Sequence, residues 1–273
     1  MSLEDIDPFP WFLHQKIQLP ISGKSSLSVM IRATEWTDHW RPLLGRIAEY
    51  LKTNPKRLIV GIAGPPGSGK SVFAAELVWL AEHGFLSHSG QKSISAVALP
   101  MDGFHYPDPV LAQRELVLKN GEKIPMIRCK GSPETFDVAS LKKHLTQLRG
   151  RPKVMTWPDY DRVHHKPMES AIKVYDSHSL VFVEGNYLLL NMPPYDGVSD
   201  YFDLRIYVEA SAGAMIANLM TRHTEGGKTM AQAKDWIKRI DLPNARLVEM
   251  TRSHADVIVR RDSEEMLTEV SWK

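Results

Sequence analysis

Leu58-Ile-Val-Gly-Ile-Ala63 runs directly into Gly64-Pro65-Pro66-Gly67-Ser68-Gly69-Lys70-Ser71. The first six residues are apolar and rich in β-branched side chains, the pattern of a strand buried on both faces of a parallel sheet. The next eight match G-x-x-x-x-G-K-[ST] at every fixed position, and a helical stretch over residues 71–82 follows. Glycines let the backbone curl until successive N–H groups converge on an anion, and the helix N-terminus adds its positive dipole end. In that setting Gly64, Pro65, Pro66, Gly67, Ser68, Gly69, Lys70 and Ser71 are expected to bind a nucleotide. Lys70 reaches the β- and γ-phosphates, and the Ser71 hydroxyl ligates Mg²⁺. ATP and Mg²⁺ are the cofactors this predicts.

Outward from the loop, β-rich apolar runs alternate with helical periodicity. Strands are expected at 93–99, 180–183, 204–208 and 257–259, and helices at 138–148, 212–222, 229–239 and 243–253. That order predicts an α/β fold, the P-loop NTPase three-layer sandwich with a mainly parallel sheet and helices on both faces. Leu180-Val-Phe-Val-Glu184 is an apolar strand ending in a carboxylate, the second nucleotide motif, and makes Glu184 a candidate Mg²⁺ ligand beside Ser71. A solvated strand end is the bland alternative for Glu184.

Residues 1–56 read differently, as an N-terminal extension. Segments 15–19 and 27–32 suit a short hairpin. Over 35–52, Trp36, Trp40, Leu43, Leu44, Ile47 and Leu51 recur at spacings of three and four, which builds one apolar helix face. Packing of that face on the domain behind it is the favoured reading over a partner-binding helix.

Composition narrows the class. The 273 residues carry 34 Lys and Arg against 32 Asp and Glu, a net charge of +2, with no sign of a nucleic-acid-coating surface. The single cysteine, Cys129, excludes an intrachain disulfide or a multi-cysteine zinc site. The start carries Glu4, Asp5 and Asp7 without an apolar signal region, and the apolar runs are too short to span a bilayer. A cytoplasmic protein without membrane or nucleic-acid partners is expected.

Further motifs define a resemblance. Met101-Asp102-Gly103-Phe104-His105 and Lys130-Gly-Ser-Pro-Glu-Thr-Phe-Asp137 are similar to bacterial pantothenate kinase. Pro158-Asp-Tyr160-Asp161 with His165 is closer to uridine kinase, and Glu184-Gly185-Asn186-Tyr187 closes the third strand. Together they resemble the uridine kinase, phosphoribulokinase and pantothenate kinase superfamily, and most of all its nucleoside-kinase-like, fructose-transport-system-kinase-like members. The resemblance implies a kinase domain over 57–273 with a helical lid near 222–244, and a small-molecule phosphoryl acceptor bearing a hydroxyl: a nucleoside, vitamin precursor or sugar. It makes Asp102 the catalytic base and Arg222 the lid cation over the nucleotide, alongside Lys70. It also makes Asp102, His105, Lys130, Tyr160, His165, Asn186 and Tyr187 substrate contacts.

Independent chemistry supports Asp102. A carboxylate just past a strand's carboxyl end sits where α/β sheets bind ligands, and an alcohol kinase uses one to accept the acceptor proton. A turn-capping Asp before Gly is the alternative. The chain departs from uridine kinase at Pro167, where that family has arginine two residues past its motif histidine, and it lacks pantothenate kinase's long substrate-side region. Arg222-His-Thr-Glu-Gly-Gly-Lys228 is expected between two helices, with Lys228 an outside candidate for the lid. Asp241-Leu-Pro-Asn244-Ala245 resembles a family element near the lid but takes no role for its atoms. A nucleotide-dependent switch acting through a protein partner is the competing reading. The oligomeric state stays open, a homodimer included.

Overall fold

In the computed structural model, which describes residues 10–21, 26–54, 56–86, 93–117, 121–161, 164 and 166–273, Leu58–Ala63 is a strand buried at every position. In chain order the strands are β1 (Ile17–Leu19), β2 (Leu27–Val29), β3 (Leu58–Ala63), β4 (Ala96–Pro100), β5 (Glu115–Val117) and β6 (Lys123–Pro125). Then follow β7 (Val154–Asp161), β8 (Lys166–Tyr175), β9 (Leu180–Gly185), β10 (Leu204–Ala210), β11 (Val257–Arg261) and β12 (Leu267–Trp272). Six of them form one sheet in the order β12-β11-β10-β3-β9-β4, parallel throughout except for the antiparallel edge strand β12.

Register places the chemistry. Glu184 on β9 lies opposite Ile62 of β3 on one side and Pro100 of β4 on the other. The carboxyl ends of these three neighbours are therefore level. The phosphate loop, the Glu184 carboxylate and the turn carrying Asp102 leave the sheet along one edge, the edge at which open α/β sheets bind ligands.

The N-terminal residues join the same core. Trp36, Trp40, Leu43, Leu44 and Ile47 are fully buried with Leu58, Val60 and Phe182 of the sheet. The Trp40 ring stacks on Phe73 of the phosphate-loop helix Lys70–Glu82 at 5.5 Å. The expected helix is present as Ala33–Glu35, a π turn at Trp36–Trp40 and Arg41–Thr53. The π turn leaves Glu35 buried, where it accepts from Trp40 Nε1 at 2.8 Å and from the Leu267 amide of β12 at 2.9 Å. One carboxylate thus ties the extension to the edge strand.

Three features depart from the sequence expectation. The β7–β8 hairpin was not anticipated, because Pro158 and Pro167 interrupt its pattern. It packs on the turn Met101–Phe104. Trp157 Nε1 donates to Pro100 O at 2.9 Å, and a Cβ on Gly103 would lie 2.3 Å from Pro158 O. Strand β12 also escaped notice, since an edge strand buried mainly at Leu267 gives little apolar signal. The helices expected at 229–239 and 243–253 are one continuous helical run: Met230–Trp236, a π turn Ile237–Asp241, and Leu242–Glu249. Pro243 stands just after the π turn; lacking an N–H, it donates no bond back into that turn.

Candidate active site

The phosphate loop turns through left-handed backbone at Gly67 (φ +79°) and Gly69 (φ +83°) before entering the helix at Lys70. Gly69 has a second reason to lack a side chain: a Cβ there would fall 2.1 Å from Glu265 Oε2. Lys70 is 8 % exposed, and Ser68 Oγ is buried without a hydrogen-bond partner. A curled backbone that admits no Cβ and holds an unsatisfied hydroxyl fits a bound phosphate chain. Ser71 Oγ donates to Glu184 Oε1 at 2.8 Å, and Glu184 is buried. These two hard oxygen donors stand where they could hold Mg²⁺, which prefers such atoms together with phosphate oxygens and water. Glu184→Gln is expected to raise the Mg²⁺ concentration needed for activity while leaving metal-free nucleotide binding near the parent level; Mg²⁺ titrations of both proteins measure it.

Beside the loop lies a cavity of about 540 Å³, within the range of small-molecule sites. Its wall includes Pro66, Asp102, His105, Lys130, Tyr160, Asn186 and Arg222, contributed by separate segments of the chain. Asp102 is half-buried on the 3-10 turn after β4. Its carbonyl meets His105 Nδ1 at 3.0 Å, and the His105 ring lies 3.9 Å from Phe136. Lys130 pairs with Asp108 and stands 5.1 Å over the Tyr160 ring. Asn186 Oδ1 is buried and lacks a donor.

One expected substrate contact falls elsewhere. Tyr187 is fully buried behind the wall, where its hydroxyl donates to Gly131 O at 2.6 Å, and burial raises its phenol well above the usual range. It holds the Lys130–Gly131 loop from within. His165 lies outside the described residues. The helix expected at 212–222 runs Ala212–Glu225, so Arg222 sits inside its last turn rather than between helices.

The 241–245 element, whose motif alone assigned no atoms, now has contacts. Buried Asp241 accepts from His223 Nε2 at 2.7 Å and faces Arg222 Nη2 at 3.5 Å. Asn244 Nδ2 donates to Gly131 O at 3.2 Å, so one helical run contacts both Arg222 and the Lys130 loop. Asn218 on the helix Ala212–Glu225 carries no signal in the sequence. Its Nδ2 donates to Gly67 O at 3.0 Å and to Glu265 Oε1 at 3.1 Å. No local pattern marks Asn218 or Glu265, because their partners are distant in sequence.

The phosphoribulokinase / uridine kinase family profile matches residues 59–268. The chain belongs to the phosphoribulokinase/uridine kinase family. It is 34% identical over 251 residues to YggC of Escherichia coli strain K12, covering 91% of this chain and 97% of that protein. It is 30% identical over 223 residues to a Schizosaccharomyces pombe protein provisionally named uridine kinase C227.14, covering 80% and 89%. A solved structure from Silicibacter sp. TM1040, provisionally named a fructose transport system kinase, superposes with a TM-score of 0.63 at 27% identity, covering 79% of this chain and 98% of that one. As a phosphoribulokinase/uridine kinase family member, the chain is an ATP-dependent phosphotransferase, and its mainly parallel sheet is the P-loop kinase fold. Among the described residues no helix is long and apolar enough to cross a membrane.

Proposed function

We propose that this kinase moves the γ-phosphoryl group of ATP onto a hydroxyl of a small metabolite held in the cavity beside the phosphate loop. One observation carries the reading: Asp102 and Arg222, remote in sequence, line a single cavity that Pro66 of the phosphate loop also walls. Asp102 orients the acceptor hydroxyl. The acceptor oxygen bonds to the γ-phosphorus as the bond from that phosphorus to its bridging oxygen breaks. The electron pair leaves with ADP, and the hydroxyl proton passes to the Asp102 carboxylate. Lys70 and Arg222 offset the charge on the moving group, and Arg222 acts chiefly once the lid closes. Mg²⁺, when bound by Ser71 and Glu184, supplies charge neutralisation at the phosphates.

Polar groups at Lys130, Asn186 and Asp108, set among the aromatic rings of His105, Phe136 and Tyr160, suit a hydroxyl-rich acceptor of the nucleoside, vitamin-precursor or sugar type. A switch acting through a protein partner needs no such cavity. The test is a metabolite panel read by ATP-to-ADP conversion and product identification, paired with melting curves. Saturating Mg-ATP is expected to raise the melting temperature of the parent by mass action, and Lys70→Ala to remove most of the shift. Conversion of no acceptor, or an unchanged melting temperature in the parent, overturns the reading.

A further inference from the structure

The opposite edge of the sheet carries a second cavity, of about 630 Å³. Ile59, near the start of β3, lines it, roughly 16 Å of strand away from the phosphate loop that follows the other end of β3. The two cavities share no lining residue. Lys56, Arg57, Arg149 and Arg151 contribute to the wall of the second, and among the described residues no Asp or Glu does.

Arg57 is 6 % exposed, and its Nε, Nη1 and Nη2 donate to the carbonyls of His178, Leu148 and Tyr175 at 2.9, 2.9 and 2.7 Å. A guanidinium has five N–H donors. The remaining ones have no acceptor among the described residues, and no carboxylate there stands within ion-pair distance. Burial first, then Arg151, hold this guanidinium below the ordinary arginine range, more than Asp176 restores.

Capping explains part of the cluster. The helices Arg41–Thr53 and Val138–Gly150 both end at the cavity wall, and helix C-termini favour cations. Two such ends together supply about one negative charge, and Asp203 offsets Arg149 at 2.8 Å. The four cations remain in excess. Arg151 is also costly to place, because its backbone is left-handed (φ +49°) just past a helix end, where glycine is the usual residue. Its Nε and Nη2 both donate to Asp176 O, at 3.0 and 2.9 Å, a carbonyl that carries no full charge. Guanidinium forks match the paired oxygens of phosphate, and the volume is that of a small-molecule site.

We propose that this cavity is a second binding site, for the phosphate group of a small molecule, with Arg57 as its fixed donor and Lys56 and Arg151 as flanking cations. The site is independent of the kinase reading, since none of its residues serves the phosphate loop.

The test uses the full chain carrying Lys70→Ala, which weakens the phosphate loop's own hold on anions. Inorganic phosphate is the probe, and chloride at matched ionic strength is the control. Phosphate is expected to raise the melting midpoint by about 2–4 °C, the scale of a site filled several-fold above its dissociation constant. Lys56→Glu, at an exposed position, should abolish the rise, and Arg151→Gln should reduce it. Arg57 is kept, since its carbonyl bonds join three segments of the chain. Phosphate-free midpoints near that of the Lys70→Ala chain show that both variants fold. In a second series glycerol 3-phosphate replaces phosphate: a larger rise at equal concentration marks an organic phosphate ester as the occupant, an equal rise free phosphate. A midpoint that rises no more in phosphate than in chloride overturns the proposal, and so does a rise that survives both substitutions.

Discussion

Asp102→Asn is expected to lower acceptor phosphorylation at least about a hundredfold while Mg-ATP still stabilises the fold, since general-base catalysis contributes on that scale. The substitution keeps shape and hydrogen-bonding capacity but removes the proton acceptor. Nucleotide binding should survive because Asp102 stands on the turn after β4, whereas the phosphate loop follows β3. Acceptor-free hydrolysis of ATP should fall much less, because water needs no oriented hydroxyl. The measurement is a paired assay of phosphorylated product and background ADP in parent and variant. Equal product formation by the two proteins removes Asp102 from the role of base, whatever the shape of the cavity. A protein-partner switch gives another pattern: hydrolysis unaffected and no acceptor in the panel.

The second large effect concerns stability. Arg261, at the end of β11, is fully buried, and its Nη1 donates to Glu76 Oε2 of the phosphate-loop helix at 2.5 Å. Its Nη2 also donates to the Glu265 carbonyl, while the Glu265 side chain abuts Gly69. The cluster thus braces the phosphate loop from behind. Glu76→Gln leaves a guanidinium that cannot shed its charge, so above about pH 7, where Glu76 is ionised, a loss of about 3 kcal/mol is expected, the scale of breaking a buried ion pair. Denaturant titration reads it as a lowered midpoint at unchanged slope.

The same site gives a pH signature. Burial pushes the Glu76 carboxyl up to about 7 against the pull of Arg261. The native state therefore holds this proton more tightly than the unfolded chain. Its contribution is fully present below the ordinary glutamate range and is lost as pH rises through about 7. Glu76→Gln should abolish that slope, and a slope unchanged in the variant assigns it to other groups.

How much of this was legible in the sequence depends on the distance over which each contact acts. The phosphate loop could be read whole, because its chemistry needs eight consecutive residues and a flanking strand and helix. The parallel sheet could be read from short, β-branched apolar runs that alternate with helical periodicity. Hairpin β7–β8 could not, because its strands carry prolines and its order comes from packing on the turn after β4. Residues 1–56 read as an N-terminal extension whose apolar helix face packs on the domain behind it, and Trp36 and Trp40 of that face are buried in the core with the sheet. Tyr187 and Asn186 are neighbours in one motif, yet one is buried behind the cavity wall and the other lines the cavity. Side-chain direction after a strand end is set by what the fold places around it.

The sequence by itself determined the nucleotide chemistry and the α/β class, both of which reside in short contiguous patterns. The tertiary structure alone decided which side chains share the cavity, how Asp241 and Asn244 link the helix Ala212–Glu225 to the Lys130–Gly131 loop, and why Glu265 and Asn218 matter to the phosphate loop. Asn218 and Gly67 are 151 positions apart, and Arg261 and Glu76 are 185 apart. Such pairs exist only after the chain has folded, because burial and hydrogen-bond geometry act through space and leave no periodicity along the sequence.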